Sequence, residues 1–302
     1  MKAIESFSLT KNYHGSKTPA LSNITLTVPS GQVFTLLGRN GAGKTTFLRI
    51  AATQLLPTEG KLHVLGRDAI TEPTKIRGRV AVVPQEGNTI GPLTPWDHVY
   101  LTLLARGMSR SEARRRAREA LERMELTPYR DKTSDTLSGG LRQRVRVAMA
   151  VATDAELLFL DEPTLGLDAL TRRHIWTVLR EICREGRTIL LTTHYVDDAE
   201  ILSNNVMVIH EGQLKAIGSP TQLLATLKER VRVDVVGGGI SEEALVRYGR
   251  VVRLAERWRV LTNESEAAEL AAEAVRRGSQ VSVGPVSLED LFVDVVGREE
   301  NV

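Results

Sequence analysis

The sequence has few of the residues that characterise secreted, metal-cluster or membrane-spanning proteins. Its 302 residues include one cysteine, Cys183, which excludes an internal disulfide and a cysteine-based metal cluster and leaves packing as the expected role. No stretch approaches the roughly 18 consecutive apolar residues of a transmembrane helix. The chain also enters a strand-like pattern directly after Met1, without the apolar core of a signal peptide. We therefore expect the chain to stay in the cytosol.

Aromatic residues are also scarce, at 4% of the chain, and the net charge is a modest +3. The densest basic run covers residues 110–123, where Ser109 and Glu112 have the spacing of a capping box. Because no aromatic residues are interleaved with the arginines, we interpret this run as the solvated face of an amphipathic helix. A nucleic-acid surface is the alternative, but we expect no nucleic-acid partner. The apolar stripe of this helix is predicted to comprise Ala113, Ala117, Ala120, Leu121 and Met124.

The remaining composition, 42% hydrophobic and 25% charged, is that of a globular protein long enough for two domains. In residues 1–220, buried strand-like runs alternate with helical patterns, which predicts an α/β fold with a mostly parallel core sheet. Residues 7–9 and 24–28 alternate apolar with polar side chains and predict an antiparallel N-terminal part. Residues 221–302 mix short strands with helices, which predicts a separate small α+β domain, with a ferredoxin-like fold as one candidate.

A glycine-rich octet lies between a strand-like run at 32–37 and a helical pattern at 46–52. It fits the pattern G-x-x-x-x-G-K-[ST], in which backbone N–H groups and a helix N-terminus surround a phosphate. The lysine then reaches the outer phosphates, and the hydroxyl of Thr45 can ligate magnesium. An ordinary glycine-rich turn is the structural alternative. The predicted nucleotide-binding residues here are Gly38, Arg39, Asn40, Gly41, Ala42, Gly43, Lys44, Thr45 and Thr46.

A second hydrophobic strand-like run, residues 157–160, ends in two adjacent carboxylates, Asp161 and Glu162. In α/β folds, ligands bind at the carboxyl ends of the parallel strands, so this pair is expected to face the octet. We predict that Asp161 holds magnesium, directly or through water, and that Glu162 polarises the attacking water. The structural alternative is that Asp-Glu-Pro is simply a common end to a strand.

A third element is the run of Ser138, Gly139 and Gly140, which begins a predicted long helix and by itself is an ordinary helix N-cap. Combined with the octet and the carboxylate pair, it resembles the signature of ABC ATPases. Over residues 1–220 the chain resembles the nucleotide-binding subunit of an ABC transporter. The resemblance implies a homodimer, in which the helix N-terminus at the signature of one subunit caps the γ-phosphate held by the octet of the other.

The resemblance implies roles for four further residues. Gln85 matches the glutamine that senses magnesium and the attacking water, and His194 matches the switch histidine that contacts the γ-phosphate. Asp168 ends the loop 165–168 that crosses the dimer interface, and Tyr13 matches the aromatic residue that stacks on adenine. Each also has an ordinary explanation as a surface polar residue, a hydrogen-bonded histidine or a packing aromatic. The implied catalytic set is Lys44, Gln85, Glu162 and His194, with Thr45, Gln85 and Asp161 at magnesium.

Two features favour the exporter branch of this family. Leu141 follows the two glycines, where many importers carry glutamine. Residues 287–292 resemble the closing motif of daunorubicin-resistance type ATPases, although a helix that docks on its own domain is the structural alternative. The resemblance implies that a helical insertion at about residues 86–137 contacts a separate membrane permease. Residues 91–97 differ from the pattern common in exporters, so individual contacts with the permease are not assigned.

The leading hypothesis is therefore an ATP- and Mg²⁺-dependent ATPase subunit of an ABC export system, attached through its permease to the inner face of the cell membrane. One alternative is a soluble ABC ATPase that acts on ribosomes or nucleic acid, but a single phosphate loop and no long heptad run argue against it. The other alternative is a ligand-sensing ATPase switch in which the last 80 or so residues form the sensor.

Overall fold

The computed structural model describes residues 1–297 except Glu86, Asn88, Gly238, Gly239 and Ala255. The chain divides into two compact units, Met1–Ser219 and Pro220–Val302. Among the described residues, no helix is both long and apolar enough to span a lipid bilayer.

The first unit combines two sheets with the helices that flank them. Its strands are β1 (Lys2–Lys11), β2 (Leu21–Pro29), β3 (Val33–Leu37), β4 (Glu59–Val64), β5 (Arg67–Asp68), β6 (Val80–Val83), β7 (Leu157–Asp161), β8 (Thr188–Thr193), β9 (Asn205–His210) and β10 (Gln213–Gly218). Its helices are α1 (Lys44–Ala51), α2 (Pro73–Arg77), α3 (Pro95–Ala105), α4 (Arg110–Arg123), α5 (Gly139–Val151), α6 (Ala169–Arg184) and α7 (Val196–Leu202).

Strands β2, β1, β4 and β5 form, in that order, an antiparallel sheet, which confirms the predicted N-terminal part. One detail differs from the alternating pattern: Leu9 is buried, but Phe7 is 48% exposed. The register between β1 and β2 shifts between Ser6 and Leu9, and Ser8 has a left-handed φ of 49°. This β-bulge breaks the alternation of the strand and leaves Phe7 at the surface.

The second sheet has the order β10-β9-β3-β8-β7-β6 and is parallel except for the hairpin of β9 and β10. Every residue of β3, β7 and β8 is buried, which explains why these strands are continuous apolar runs. The predicted mostly parallel core is therefore confirmed. Because the carboxyl ends of parallel strands meet at one edge, the residues that follow β3, β7 and β8 come together there.

Helices α3, α4 and α5 pack against one another, and α5 also contacts β6. The predicted apolar stripe of α4 is confirmed, since all five of its side chains are buried. The expected capping box is only half formed. The side chain of Ser109 accepts a hydrogen bond from the N–H of Glu112, but the carboxylate of Glu112 pairs with Arg115 and Arg116 instead. The arginines of α4 are thus partly neutralised on the helix itself.

Cys183, near the end of α6, packs partly buried against the core of the first unit. Burial raises the pKa of its thiol to about 12. The side chain is therefore protonated at neutral pH and behaves as a small apolar group, in agreement with the expected packing role.

The second unit begins with a helix and continues in the order strand, helix, strand, strand, helix, strand, helix. This is the split βαβ arrangement of ferredoxin-like folds, with an added final helix. The elements of this unit are α8 (Pro220–Ala225), β11 (Val231–Val236), α9 (Glu242–Leu245), β12 (Arg250–Leu254), β13 (Arg257–Thr262), α10 (Glu264–Arg276), β14 (Gln280–Pro285) and α11 (Leu288–Gly297). The sheet is antiparallel in the order β12-β13-β11-β14.

A buried arginine holds α11 on this sheet. Arg259 on β13 is 3% exposed and donates two hydrogen bonds to Asp234 on β11, at 2.7 and 3.1 Å. It also donates to Glu289 at 2.7 Å and to Asp290 at 2.9 Å, both on α11. Burial alone would lower the pKa of Arg259, but the hydrogen bonds to Asp234 and Glu289 raise it above its usual value. The closing motif at 287–292 therefore docks a helix on its own unit.

Candidate functional site

The glycine-rich octet forms a turn between β3 and α1 that depends on two glycines. Gly43 caps the N-terminus of α1 with a left-handed φ of 106°. A Cβ atom at Gly43 would overlap the carbonyl oxygen of Ala20, and a Cβ at Gly38 would overlap that of Ile209. The backbone can therefore take this path only without side chains at these two positions.

The side chain of Lys44 is buried at this turn, where its ammonium group is surrounded by oxygen atoms. Its Nζ donates to the carbonyl oxygens of Gly38 at 2.8 Å and Arg39 at 3.2 Å. The Oε1 atom of Glu162 lies 3.3 Å from the same Nζ, and both side chains are almost fully buried. The octet after β3 and the carboxylate at the end of β7 thus meet in space, as the sheet topology predicts.

Asp161 connects three elements of this edge. Its Oδ1 accepts a hydrogen bond from Thr45 on α1 at 3.0 Å and another from Thr192 on β8 at 2.6 Å. Thr192 also accepts the backbone N–H of Glu162 at 3.0 Å. Thr192 was not among the residues predicted from the sequence, although its position near the end of a buried strand, two residues before His194, is a usable signal.

Glu162 follows β7 with an unusual backbone conformation. Its φ is 50°, in the left-handed region that a glutamate adopts only at a cost of about 1–3 kcal/mol. The side chain is enclosed between Lys44 and His194, whose Nδ1 lies 3.0 Å from Oε2. The left-handed turn thus directs a buried carboxylate between an ammonium group and an imidazole.

A cavity of about 470 Å³ lies beside the octet. Besides residues of the octet, Tyr13 and Gln85 border this cavity, together with Glu162. The Tyr13 hydroxyl lies 3.3 Å from the hydroxyl of Thr46, and its ring is 42% exposed, as a stacking surface requires. The lining of the cavity is Tyr13, Ala20, Asn40, Gly41, Gly43, Lys44, Thr45, Thr46, Gln85 and Glu162.

The remaining predicted residues lie elsewhere on the described surface. Ser138 caps α5 by accepting the N–H of Leu141 at 3.3 Å, and Ser138 and Gly139 are exposed. Asp168 caps α6 by accepting the N–H groups of Leu170 and Thr171, both at 3.0 Å. The hydrogen bond from the Thr171 side chain lowers the pKa of this carboxyl. Neither cap borders the cavity.

Gln143 is a second residue of this region that was not predicted from the sequence. It is 4% exposed on α5, and its Nε2 donates at 2.9 Å to the carbonyl oxygen of Pro163, directly after Glu162. The helix that begins at Ser138 is thereby tied to the end of β7. A buried glutamine one turn into a helix gives no signal in a single sequence, because its partner lies 20 positions away.

The oxygen atoms around Asp161 suit Mg²⁺, which needs only one or two protein ligands, and not an ion that requires a site built entirely from protein side chains. Within the described part of the chain, no three histidine, cysteine, aspartate or glutamate side chains come together as a metal cluster. Mg²⁺ is typically held by one or two protein oxygens together with waters and substrate phosphates. The hydroxyl of Thr45 and the carboxylate of Asp161, 3.0 Å apart, are oxygen donors of this kind.

Replacing Gly43 with alanine is expected to lower the free energy of unfolding by at least about 2 kcal/mol, because it combines left-handed backbone strain with overlap at Ala20. Nucleotide binding should be lost with it, because the octet cannot keep its path. Gly78→Ala is the matched control, since Gly78 has a helical φ of −66° and open space around its Cβ position. Urea unfolding and nucleotide titration of both variants measure the effect. Equal stabilities for the two variants would contradict it.

Comparison with known proteins identifies the group to which this site belongs. A family model described as "ABC transporter" matches residues 21–165. The chain is 38% identical over 230 residues to the daunorubicin/doxorubicin resistance ATP-binding protein DrrA of Streptomyces peucetius, covering 76% of this chain and 69% of that protein. It is 33% identical over 303 residues to the Nod factor export ATP-binding protein I of Paraburkholderia xenovorans, covering 98% of both.

A solved structure gives the same result. The dimeric post-hydrolysis structure of the ATP-binding cassette MJ0796 bound to ADP and Pi superposes with a TM-score of 0.66 at 29% identity, covering 72% of this chain and 98% of that one. The chain also matches human ATP-binding cassette sub-family A member 2, of which it spans 9% of the length. The fold and the relatives agree with the resemblance noted in the sequence. The chain therefore belongs to the ABC transporter family, among its export-type ATP-binding ATPase subunits.

Proposed function

We propose that this chain acts as a homodimer that binds two ATP–Mg²⁺ between its subunits and hydrolyses them to drive export through a separate membrane permease. One observation carries this proposal. The octet and Glu162 border one cavity, whereas Ser138 and Asp168 lie outside it, on caps of other helices. Each subunit would thus hold the octet and Glu162 at its own cavity and present Ser138 and Asp168 to a partner.

Within one subunit, the octet and α1 bind the phosphates. The N-terminus of α1 carries no side-chain cap, so its backbone N–H groups are free to receive an anion. Lys44 is a cationic residue that borders the cavity. Phosphate oxygens, which carry more negative charge, would replace the carbonyl oxygens that its ammonium group now contacts. Arg39, Asn40, Gly41, Ala42 and Thr46 complete this binding segment, with Tyr13 against the base.

Thr45 and Asp161 are the proposed magnesium residues, with Gln85 at the cavity wall as the third. A magnesium ion held by these residues would supply positive charge that offsets the negative charge developing on the phosphate oxygens. Thr192 contributes by fixing the orientation of the Asp161 carboxylate.

Glu162 is the proposed general base and His194 the group that orients it. The carboxylate lies in a buried pocket where a water molecule near the γ-phosphate becomes its hydrogen-bond partner. His194, 3.0 Å from Glu162, is placed to contact the same phosphate. Lys44 supplies the positive charge that stabilises the transferring phosphoryl group.

Ser138, Gly139 and Gly140 are proposed to complete the site of the partner subunit. They occupy the N-terminus of the 13-residue helix α5, where backbone N–H groups and the helix dipole favour an anion. Asp168 and its loop are proposed to contact the partner as well. Exposed apolar side chains lie in this loop and shortly after it. Leu165 is 41% exposed and Leu170 is 77% exposed, as expected for a surface that becomes covered.

Mixing two inactive variants tests the shared site. Lys44→Ala removes the phosphate lysine, and Gly139→Asp adds a negative charge where a phosphate would be capped. A Cβ at Gly139 meets open space, so the second variant should fold normally. A mixed dimer contains one site in which both substitutions coincide and one site that is intact. We expect each variant alone to be inactive and the mixture to recover ATPase activity.

Recovered ATPase activity supports the proposal only if it comes from dimers that contain one subunit of each variant. Gly78→Asp is the control for the second variant, and it should keep wild-type activity because it adds the same charge at an open position outside the proposed site. Size measurements with ATP should show dimers in the mixture. If the mixture stays as inactive as its parts while both variants are folded, each subunit holds a complete site, and the shared-site proposal is wrong.

The permease and the location follow from the same proposal. The relatives named for resistance and export support an export direction and a position at the inner face of the cell membrane, reached through the permease. Co-purification of the tagged chain with a multi-spanning membrane protein would support this proposal. Co-sedimentation with ribosomes and no membrane partner would favour a soluble ABC ATPase instead.

A further inference from the structure

Asp198 on α7 is a buried carboxylate outside the ATP cavity that receives hydrogen bonds from three directions. It is 2% exposed. Its Oδ2 accepts from the hydroxyl of Thr164 and from the hydroxyl of Thr193 at 3.0 Å. Its Oδ1 accepts from the indole N–H of Trp176 at 3.0 Å. Burying a carboxylate is costly, and it persists here because each oxygen is satisfied by donors.

These partners lie at functionally distinct places. Thr164 directly precedes the loop 165–168, and Thr193 directly precedes His194. The two threonines share the single atom Oδ2, so the start of the loop and the end of β8 are held at a fixed separation. Thr193 Oγ1 also accepts the backbone N–H of Tyr195 at 3.0 Å, which fixes the chain on the far side of His194.

Trp176 belongs to α6, the helix that Asp168 begins, and Arg172 on the same helix supplies the charge that faces the carboxylate. Its guanidinium lies 3.9 Å from Asp198 and sits near two rings, 4.8 Å from that of Tyr195 and 6.0 Å from that of Trp176. Burial raises the pKa of Asp198, while the bonds from the threonines and the charge of Arg172 oppose this rise.

We propose that Asp198 is a positioning residue that locks the loop 165–168 to His194. The inference rests on the proposed homodimer, in which this loop contacts the ATP site of the partner while His194 belongs to the site of its own subunit. Asp198 then connects the two ATP sites mechanically. A displacement of His194 on phosphate binding moves Thr193, and through the shared carboxylate it moves Thr164 and the loop.

The test is the cooperativity of ATP hydrolysis in the full chain. If the sites are coupled, the wild-type Hill coefficient approaches about 2, the number of sites in the dimer. Asp198→Asn leaves a single acceptor oxygen, which cannot accept from the indole N–H of Trp176 and from both threonine hydroxyls together, so the shared anchor of the two threonines is weakened. We expect the Hill coefficient to fall toward 1 and kcat to fall by about 10-fold, with KM for ATP nearly unchanged, because the phosphate loop is untouched.

Two matched variants distinguish the loss of one hydrogen bond from a general loss of structure. Thr164→Val removes the hydroxyl while keeping the shape of the side chain, and Thr164→Ser keeps the hydroxyl. We expect the valine variant to lose cooperativity and the serine variant to keep it, even if Asp198→Asn fails to fold. Trp176→Phe also removes one hydrogen bond to Asp198, but one that does not join the loop to His194. It should lower thermal stability and keep the Hill coefficient.

The results distinguish failure of the role proposed for Asp198 from failure of the proposed homodimer on which it rests. If the wild-type chain shows no ATP-dependent dimer and no cooperativity, the proposed homodimer is wrong. If the wild-type chain is a cooperative dimer and folded Thr164→Val keeps the full Hill coefficient, the role of Asp198 is overturned. The same conclusion follows if Trp176→Phe loses as much cooperativity as Thr164→Val at equal stability, since Asp198 would then act only in holding the fold.

Discussion

Replacing Glu162 with glutamine is expected to lower the steady-state ATPase rate by at least about 100-fold while ATP binding stays near wild-type strength. The amide has nearly the shape of the carboxylate and keeps contact with Lys44 and His194, so the buried pocket should remain intact. It cannot accept the proton of the attacking water. The rate loss therefore reports the chemical step, and ATP titration reports binding separately.

A second consequence of the same substitution concerns assembly. In the proposed homodimer, ATP holds the two subunits together and hydrolysis separates them, so a chain that binds without hydrolysing should accumulate as an ATP-dependent dimer. Light scattering after gel filtration measures this. Glu156→Gln is the control, since Glu156 forms an exposed pair with Arg79 worth at most about 1 kcal/mol. An unchanged ATPase rate in Glu162→Gln would remove this residue from the role of base.

Replacing Arg259 with alanine is expected to lower the stability of the second unit by about 3–5 kcal/mol, the cost of removing the main hydrogen-bond donor of two buried carboxylates. Asp234 is 9% exposed and Asp290 is 3% exposed, so neither carboxylate can recover its interactions from water. The helix α11 should then detach from the sheet, because Arg259 joins the two. Hydrogen exchange of the full chain measures the loss unit by unit.

The control for this prediction lies two residues away on the same strand. Arg257 is 3.7 Å from Asp234, but its side chain is 43% exposed, so Arg257→Ala should cost less than about 1 kcal/mol. Protection from exchange in the first unit should be unaffected by either change. Equal losses for the two variants would show that the buried pairing of Arg259 contributes nothing beyond a surface contact.

Much of the first unit could be predicted from the sequence because its signals are local. The octet fixes its own turn through the left-handed Gly43 and the buried Gly38, and the continuous apolar strands β3, β7 and β8 identify a parallel core. Since parallel strands align their carboxyl ends, the octet and Glu162 could be placed at the same edge of the sheet, but the contact of Lys44 with Glu162 depends on the strand order β3-β8-β7.

The features that could not be predicted depend on partners distant in the chain. The hydrogen bond from Gln143 to Pro163 spans 20 positions, and the bond from Thr164 to Asp198 spans 34. The pairing of Arg259 with Asp234 depends on the register of two strands, and a shift of one residue would place these side chains on opposite faces. The exposure of Phe7 could not be predicted, because a bulge has no reliable signal in an alternating pattern.

The single cysteine makes this chain unusually suitable for measuring distances. At neutral pH the Cys183 thiol, with its pKa of about 12, holds almost no reactive thiolate and should react slowly with maleimides. A cysteine introduced at an exposed position, such as residue 170, would therefore be labelled selectively without first removing the native one. Spin or fluorescent labels placed there would report directly on whether two subunits approach each other when ATP is added.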